Sequence, residues 1–116
     1  MRLDFSNQDG KKIVINEKTK TNLVPIKDII YLVCDSYITT CHLINNESIS
    51  TAKLLKHFEQ ELVDYGFLRV NFNTVVNVKH ITKIVKVDNK KFITINNYNI
   101  RISRRRSHLL KQFICQ

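Results

Sequence analysis

A chain of 116 residues with 43% hydrophobic and 25% charged residues has the size and composition of one globular domain. No uninterrupted apolar run approaches the roughly 20 residues that a membrane-spanning helix needs. The first ten residues lack the basic-then-apolar order of a secretory signal peptide. Three cysteines without a CxxC pair argue against a disulfide framework and a zinc site. We therefore expect a cytoplasmic protein that does not insert into a membrane.

The positive charge of the chain is concentrated in its second half. Residues 1–65 carry 8 Lys/Arg and 9 Asp/Glu, whereas residues 66–116 carry 11 Lys/Arg and one acid, Asp88. A set of cations with almost no acidic partners is typical of proteins that bind polyanions. Charge alone leaves nucleic acid, an acidic protein and an anionic membrane surface open as partners.

The first half of the chain has the hydrophobic pattern and the turn residues of short β-strands. Its predicted strands are 12–16, 22–25, 29–34, 37–44 and 48–50. Because Pro25 has no N–H to donate, the second strand is expected to end there or to lie at a sheet edge. Asn45-Asn46 has the residue types of a tight hairpin turn.

The hydrophobic period changes from strand to helix after Thr51. Apolar residues at i, i+1, i+4 and i+8 predict one face of an amphipathic helix. That predicted face consists of Leu54, Leu55, Phe58 and Leu62. We expect Ser50 or Thr51 to cap the start of this helix and Tyr65-Gly66 to end it.

Strand patterns return in the last part of the chain and end in a second helix. The predicted strands are 67–70, 74–78, 80–87, 92–95 and 98–102, with turns at 88–91 and 96–97. In strand 80–87 we expect Ile and Val to point inward and Lys outward. Ser103 is the expected cap of the terminal helix. Its predicted apolar face consists of Leu109, Leu110, Phe113 and Ile114.

Three consecutive arginines follow Ser103 in the first turn of the predicted terminal helix. Arg104, Arg105 and Arg106 repel one another and the positive end of the helix dipole, which selection for stability alone would avoid. An anion at this helix end would remove the conflict, because guanidinium groups and free backbone N–H groups both suit phosphate. The alternative is that the arginines splay into solvent at small cost.

A second candidate site lies where Asn71 and Asn73 flank Phe72 between two predicted strands. Asparagine can pair with adenine or hold phosphate, and an exposed phenylalanine can pack on a sugar or on a thymine methyl group. The alternative, which the residues by themselves favour, is a turn with asparagine at positive φ and with Phe72 in the core.

Sequence signatures of catalysis and of metal binding are absent from the chain. Its four histidines are not at metal-ligand spacing, and no GxSxG, P-loop or HExxH motif occurs. Cys34 and Cys41 fall on adjacent predicted core strands, where cysteine usually acts as a small hydrophobic residue. We therefore expect no enzyme activity, no cofactor and no metal.

The order of these elements, from about Val24 to Phe113, resembles the LytTR domain, the DNA-binding output domain of LytR/AgrA-type response regulators. The resemblance rests on an ordered set of short motifs. They are Ile29-Ile30-Tyr31-Leu32, Cys41-His42-Leu43, the helix face with Leu55, Phe58 and Leu62, Phe67-Leu68-Arg69-Val70, Val75-Val76-Asn77, Ile81 with Ile84, and Ile102-Ser103-Arg104-Arg105. It implies a mainly β, β-rich α+β fold, an elongated sandwich of short mixed strands with one internal helix and a C-terminal helix. The DNA-binding domain would span residues 21–116, and residues 1–20 would supply a linker or a first strand.

For function, the resemblance implies sequence-specific binding to double-stranded DNA at promoter direct repeats. In that family loops enter successive major grooves, in place of a recognition helix. The family's base-contacting sites map onto Ser36 and Tyr37, onto Asn71, Phe72 and Asn73 after Arg69, and onto Arg105 with Arg104 and Arg106. Phe72 and Tyr37 depart from the family pattern, because polar side chains usually stand at both positions. The DNA sequence that this chain recognises therefore need not be that of its relatives.

The resemblance also implies partners outside the chain and leaves two other functions open. A receiver domain usually precedes the DNA-binding unit, and none is present in these residues, so we expect a stand-alone regulator or a fragment. A sensor kinase would be a further partner, and the domain would dimerise on DNA repeats.

The alternative functions are an RNA-binding module and an adaptor whose basic face binds an acidic protein. Single-strand binders usually expose several aromatics on one sheet, and only Tyr37 and Phe72 are candidates here.

Overall fold

The computed structural model describes residues 4–113, which form ten short strands and two helices. The strands are β1 (Lys12–Asn16), β2 (Thr21–Pro25), β3 (Ile29–Asp35), β4 (Ile38–Leu43), β5 (Ser48–Thr51), β6 (Phe67–Asn71), β7 (Thr74–Asn77), β8 (Ile81–Val87), β9 (Lys90–Ile95) and β10 (Tyr98–Ile102). The helices are α1 (Leu55–Leu62) and α2 (Arg104–Leu110). The predicted fold class, mainly β with one internal and one terminal helix, is confirmed. The predicted apolar position Ile114 and the third cysteine, Cys115, lie outside the described residues.

The strands form three sheets in which every pairing between the described strands is antiparallel. β1 pairs with β2, and the central sheet has the order β5-β4-β3-β7-β6. The third sheet has the order β10-β9-β8. The extents of 45 × 32 × 25 Å confirm the elongated shape.

The central sheet is covered on both of its faces. Leu32 and Val75 pair across β3 and β7 and pack in one hydrophobic cluster with α1, β1 and β2. Their neighbours Tyr31 and Val76 point to the other face and pack with the third sheet and α2. Burial on both faces explains why β3 is a continuous apolar run and not an alternating one.

The N-terminal residues are joined to this fold through β1 and a buried glutamine. Ile13 and Ile15 of β1 belong to the cluster below α1, and β1 pairs along its length with β2. Gln8 is fully buried, and its Nε2 donates to the Tyr65 carbonyl at 2.7 Å and to the Asn77 Oδ1 at 3.0 Å. Residues 4–16 therefore pack against the rest of the chain, and a domain boundary at residue 20 stays a prediction.

The tight turns occur where asparagine and aspartate tolerate positive φ. Asn45-Asn46 (φ 66° and 63°) and Asn96-Asn97 (φ 50° and 67°) form the predicted turns. The turn between β8 and β9 is shorter than predicted, because it consists of Asp88-Asn89 and β9 begins at Lys90. β2 ends at Pro25, as its missing N–H requires.

The start of α1 differs from the prediction. Leu54 precedes the helix without a side-chain cap and is 49% exposed, so it does not belong to the apolar face. Ser50 and Thr51 lie in β5, and the Thr51 hydroxyl donates to the Asn16 carbonyl at 2.8 Å. The prediction that either residue caps α1 is wrong, because β5 continues through Thr51. The helix region does end at Gly66, whose φ of 85° suits glycine.

The predicted alternation in β8 is also wrong. Ile84 and Val87 are exposed by 37% and 50%, and Ile81 and Val85 are only half-buried. A register irregularity between Ile81 and Lys83 shifts the two faces of this strand. β8 is the edge strand of its sheet, so its apolar side chains have few neighbours.

Candidate nucleic-acid interface

The first predicted site is the two-residue turn between β3 and β4. Asp35 pairs with Ile38, so Ser36 and Tyr37 form the tip of this hairpin. Ser36 has a φ of 57°, a left-handed conformation that is unfavourable for a residue with a Cβ atom. Tyr37 is 82% exposed. The turn therefore presents a hydroxyl group and an aromatic ring to solvent.

The second predicted site is the tip of the hairpin formed by β6 and β7. Phe72 is 84% exposed, and neither Asn71 nor Asn73 has a positive φ. The segment is a turn, but the interpretation that asparagine has a positive φ and that Phe72 lies in the core is wrong. The Asn73 carbonyl accepts a hydrogen bond from the Cys34 N–H at 2.9 Å, which joins this tip to the end of β3.

Arg69 lies beneath the second tip and holds it. Its side chain is 17% exposed, and Nη1 contacts the Glu59 carboxylate of α1 at 3.1 Å. Its Nη2 donates to the Phe72 carbonyl, and its Cζ lies 5.8 Å from the centre of the Phe72 ring. Arg69 therefore supports Phe72 from one side and leaves the rest of the ring open to solvent.

The third predicted site, the start of α2, is joined to the same hairpin. The Asn71 Nδ2 donates to the Arg101 carbonyl at 2.8 Å, and the Asn71 Oδ1 accepts from the Asn73 N–H at 3.0 Å. The Ser103 N–H donates to the Val70 carbonyl at 2.8 Å. The β6–β7 hairpin therefore contacts both other sites, and the structure brings all three together.

The three arginines at the start of α2 differ in exposure. Arg104 and Arg105 are exposed, whereas Arg106 is half-buried. Ser103 occupies the predicted N-cap position, but its hydroxyl makes no capping bond and is buried without a hydrogen-bond partner among the described residues. The predicted side-chain cap is therefore wrong. Because α2 has only seven residues, any affinity of this turn for an anion comes mainly from the guanidinium groups.

A recess of about 430 Å³ between the first two tips was not predicted from the sequence. It is lined by Ser36 and Phe72 and, on its other side, by Leu54, Leu55 and Lys56 at the start of α1. The sequence pattern of α1 does not indicate that the start of this helix lies beside the hairpin turns of the central sheet. The only sequence signal for this recess is that an apolar residue, Leu54, and a lysine, Lys56, stand near the start of the predicted helix.

The two described cysteines differ in burial, although both were expected in the core. Cys41 is fully buried, and desolvation raises the pKa of its thiol to about 12. Cys34 is half-buried and lines the recess, with its Sγ 3.4 Å from the Ser36 carbonyl. The end of β3 extends beyond the central core toward the tip of the β3–β4 hairpin, which explains why Cys34 is less buried than Cys41.

We expect an alkylating reagent to modify Cys34 much faster than Cys41 in the folded protein. The thiolate is the reactive form, and a pKa raised from 9.0 to about 12 lowers the thiolate fraction of Cys41 on the order of 10³-fold. A timed pulse of iodoacetamide followed by peptide mass spectrometry measures both rates. The unfolded protein is the control, in which both thiols should react alike. Equal rates in the folded protein would contradict the difference in burial.

Among residues 4–113, no three His, Cys, Asp or Glu side chains are grouped so that they could hold a metal ion. In the same range neither helix has the length and hydropathy needed to cross a membrane. Among the exposed groups that the structure brings together are those of the three predicted sites.

Comparisons with known proteins identify a family over most of the chain. The family model described as the LytTr DNA-binding domain matches residues 19–114. Among solved structures, the LytTr DNA-binding domain of a methyl-accepting/DNA response regulator from Bacillus cereus matches with a TM-score of 0.76 and 18% identity. That match covers 91% of this chain and 98% of the other, and at this identity it shows a shared fold. No curated protein matches the sequence.

Proposed function

Because the chain belongs to the LytTR family of DNA-binding domains, we propose that it binds double-stranded DNA sequence-specifically as a transcriptional regulator. In this proposal Ser36-Tyr37, residues 71–73 and the start of α2 enter the major groove at direct repeats in a promoter. The observation that carries the proposal is that hydrogen bonds join the second tip to the strands that carry the other two sites, Cys34 N–H of β3 to Asn73 O and Asn71 Nδ2 to Arg101 O of β10.

The side chains of the two hairpin tips have different tasks in this proposal. Ser36, Tyr37 and Asn73 are exposed, so their polar groups contact base edges, sugars or phosphates. The open side of the Phe72 ring packs on a sugar or on a thymine methyl group. Arg69 and Asn71 already bond within the protein, so they contribute to DNA binding by holding the second tip.

The arginines of α2 supply the strongest contacts. Arg105 is exposed, and a guanidinium fork in the major groove can bond guanine O6 and N7 together. Arg104 and Arg106 flank it and contact phosphates, which positions the protein without adding sequence preference. The excess of cations in residues 66–116 supports a polyanionic partner.

The proposal includes a bacterial, cytoplasmic setting and partners outside the chain. The input signal would come from a receiver domain or a sensor kinase, and two copies would dimerise on a direct repeat. The protein would act by binding alone, without a catalytic step, a cofactor or a metal.

We expect the affinity for duplex DNA to fall steeply as the salt concentration rises. Each phosphate that a Lys or Arg neutralises releases counterions and contributes roughly −0.9 to the slope of log K against log[salt], so we expect a slope steeper than about −2. Fluorescence anisotropy of a labelled duplex over a salt series measures the slope. A shallower slope would contradict polyanion binding, and a flat response would favour an adaptor for an acidic protein.

The exposure of Tyr37 and Phe72 is the one observation that favours a single-strand binder as second candidate. The two functions are distinguished by competition at fixed salt, with duplex DNA and single-stranded RNA of the same sequence as competitors. We expect the duplex to displace the labelled probe at the lower concentration. The reverse order would replace the duplex proposal with the single-strand one.

A further inference from the structure

A second basic feature lies beside α2 and shares only Arg104 with the three sites already described. It is an open groove of about 270 Å³ between α2 and the tip of the β8–β9 hairpin. Six cationic residues line it: Lys86, Lys90, Lys91, Arg101, Arg104 and Lys111. Within residues 4–113 no Asp or Glu lines this groove, and the ion pairs found there involve none of the six. Asp88, in the turn of the same hairpin, is not among the lining residues, so the residues that form the groove wall carry a net positive charge.

The strand side of the groove continues the inward face of the third sheet. Ile93 and Ile95 are fully buried on that face, and Lys91 points to the same side because it lies two positions before Ile93. Lys86 pairs directly with Lys91 across β8 and β9. Like charges in a directly opposed pair are destabilising, so these two lysines do not serve the stability of the sheet.

The helix side of the groove is one face of α2 and the turn that follows it. Arg104, Ser107, His108 and Lys111 occupy positions i, i+3, i+4 and i+7, which lie above one another on a helix. Leu110 points to a different side and packs in the core cluster. α2 therefore divides its surface between the core and the groove, and cations face the groove from both walls.

We propose that this groove binds the sugar–phosphate backbone of the same duplex that the three sites contact. The inference rests on the proposed function and extends it by a backbone contact outside the base-facing turns. Arg101 connects the two regions, because its carbonyl accepts from Asn71 and the residue is among those that line the groove. Arg104 is likewise both the first residue of α2 and part of the groove.

The arrangement of the cations favours an extended polyanion over a single small anion. They come from separate elements, and they follow an open groove instead of converging on one enclosed point. Lysine supplies a point charge without the planar fork that reads a base edge. Contacts here therefore raise the affinity for any duplex and add little sequence preference.

The test is the double variant Lys86→Gln/Lys91→Gln, with Lys12→Gln/Lys18→Gln as a control of equal charge change. Lys12 and Lys18 are exposed in or after β1, in another sheet. The probe is a mixed-sequence duplex of about 30 base pairs, roughly three helical turns. We expect the salt slope to become shallower by about 1.8 for the groove variant, since each lysine contributes about 0.9. The control variant should keep the wild-type slope, and thermal melts check that both variants fold.

The outcomes separate this inference from the proposed function. If the wild-type protein shows no salt-dependent duplex binding, the proposed function fails. Two results would show that the groove has no backbone role while the proposed function stands. In the first, the wild type binds and both variants keep its salt slope. In the second, both variants make the slope shallower by the same amount. Calorimetry with inorganic pyrophosphate tests for a free anion. Saturable binding that the groove variant loses, together with an unchanged duplex slope, would assign the groove to a small anion and overturn the inference.

Discussion

Replacing Asn77 by alanine is expected to lower the free energy of unfolding by about 2–5 kcal/mol. Asn77 is fully buried at the end of β7, and its Nδ2 donates to the Ile29 carbonyl at 2.8 Å. Its Oδ1 accepts from the Gln8 Nε2 at 3.0 Å and from the Lys79 N–H at 3.2 Å. The Asn77 Nδ2 also donates to the Gln8 Oε1 at 3.4 Å. Alanine leaves the Ile29 carbonyl and this Gln8 amide oxygen buried without the Asn77 donor, and each such group costs about 1–3 kcal/mol.

Urea unfolding followed by circular dichroism measures the effect, with Asn99→Ala as the matched control. Asn99 is exposed in β10, and its only described side-chain bond is from the Thr94 hydroxyl at 2.7 Å. The control should change the free energy of unfolding by at most about 0.5 kcal/mol. Gln8→Ala, alone and combined with Asn77→Ala, then gives the coupling between the two side chains, expected at about 0.5–3 kcal/mol. Equal losses in Asn77→Ala and Asn99→Ala would mean that the buried network contributes nothing specific.

This network shows which part of the fold could be predicted from the sequence. Strand positions and turns follow from local pattern, and the apolar run of β3 marks a strand buried on both faces. The Gln8–Asn77 bond joins side chains 69 positions apart, and no period or spacing in either segment encodes it. The same limit explains the error at Thr51, whose hydroxyl bonds to Asn16 in a strand far away along the chain.

In the candidate site, too, some features could be predicted from the sequence and others could not. From the residues alone Phe72 is a core side chain, because burial is the usual state of phenylalanine. Only the family resemblance placed it at an exposed tip, where the structure has it. The ion pair of Arg69 with Glu59 supports the proposal that this arginine holds the second tip instead of contacting DNA. It depends on how α1 packs on β6, which is a tertiary feature.

Arg105→Ala is expected to weaken binding to the preferred duplex by about 1–3 kcal/mol, roughly 5–150-fold in affinity. The same change should relax the base preference at one position of the DNA site. Arg105 is exposed and does not line the groove beside α2, whereas Arg104 does. Consecutive residues lie about 100° apart around a helix, so the two guanidinium groups leave α2 in different directions. Arg105 is therefore the arginine that is free to enter the major groove.

The measurement needs a preferred sequence, which selection from a random duplex pool with the wild-type protein provides. Binding curves on this duplex and on a scrambled one, at one salt concentration, then compare Arg105→Ala with Lys90→Ala. Lys90 lines the groove beside α2 and carries an ammonium group, so its loss should weaken both duplexes alike. Arg105→Ala should weaken mainly the preferred duplex. Equal losses on both would reduce Arg105 to a phosphate contact, and no loss on either would leave the arginine cluster as a solvated helix end.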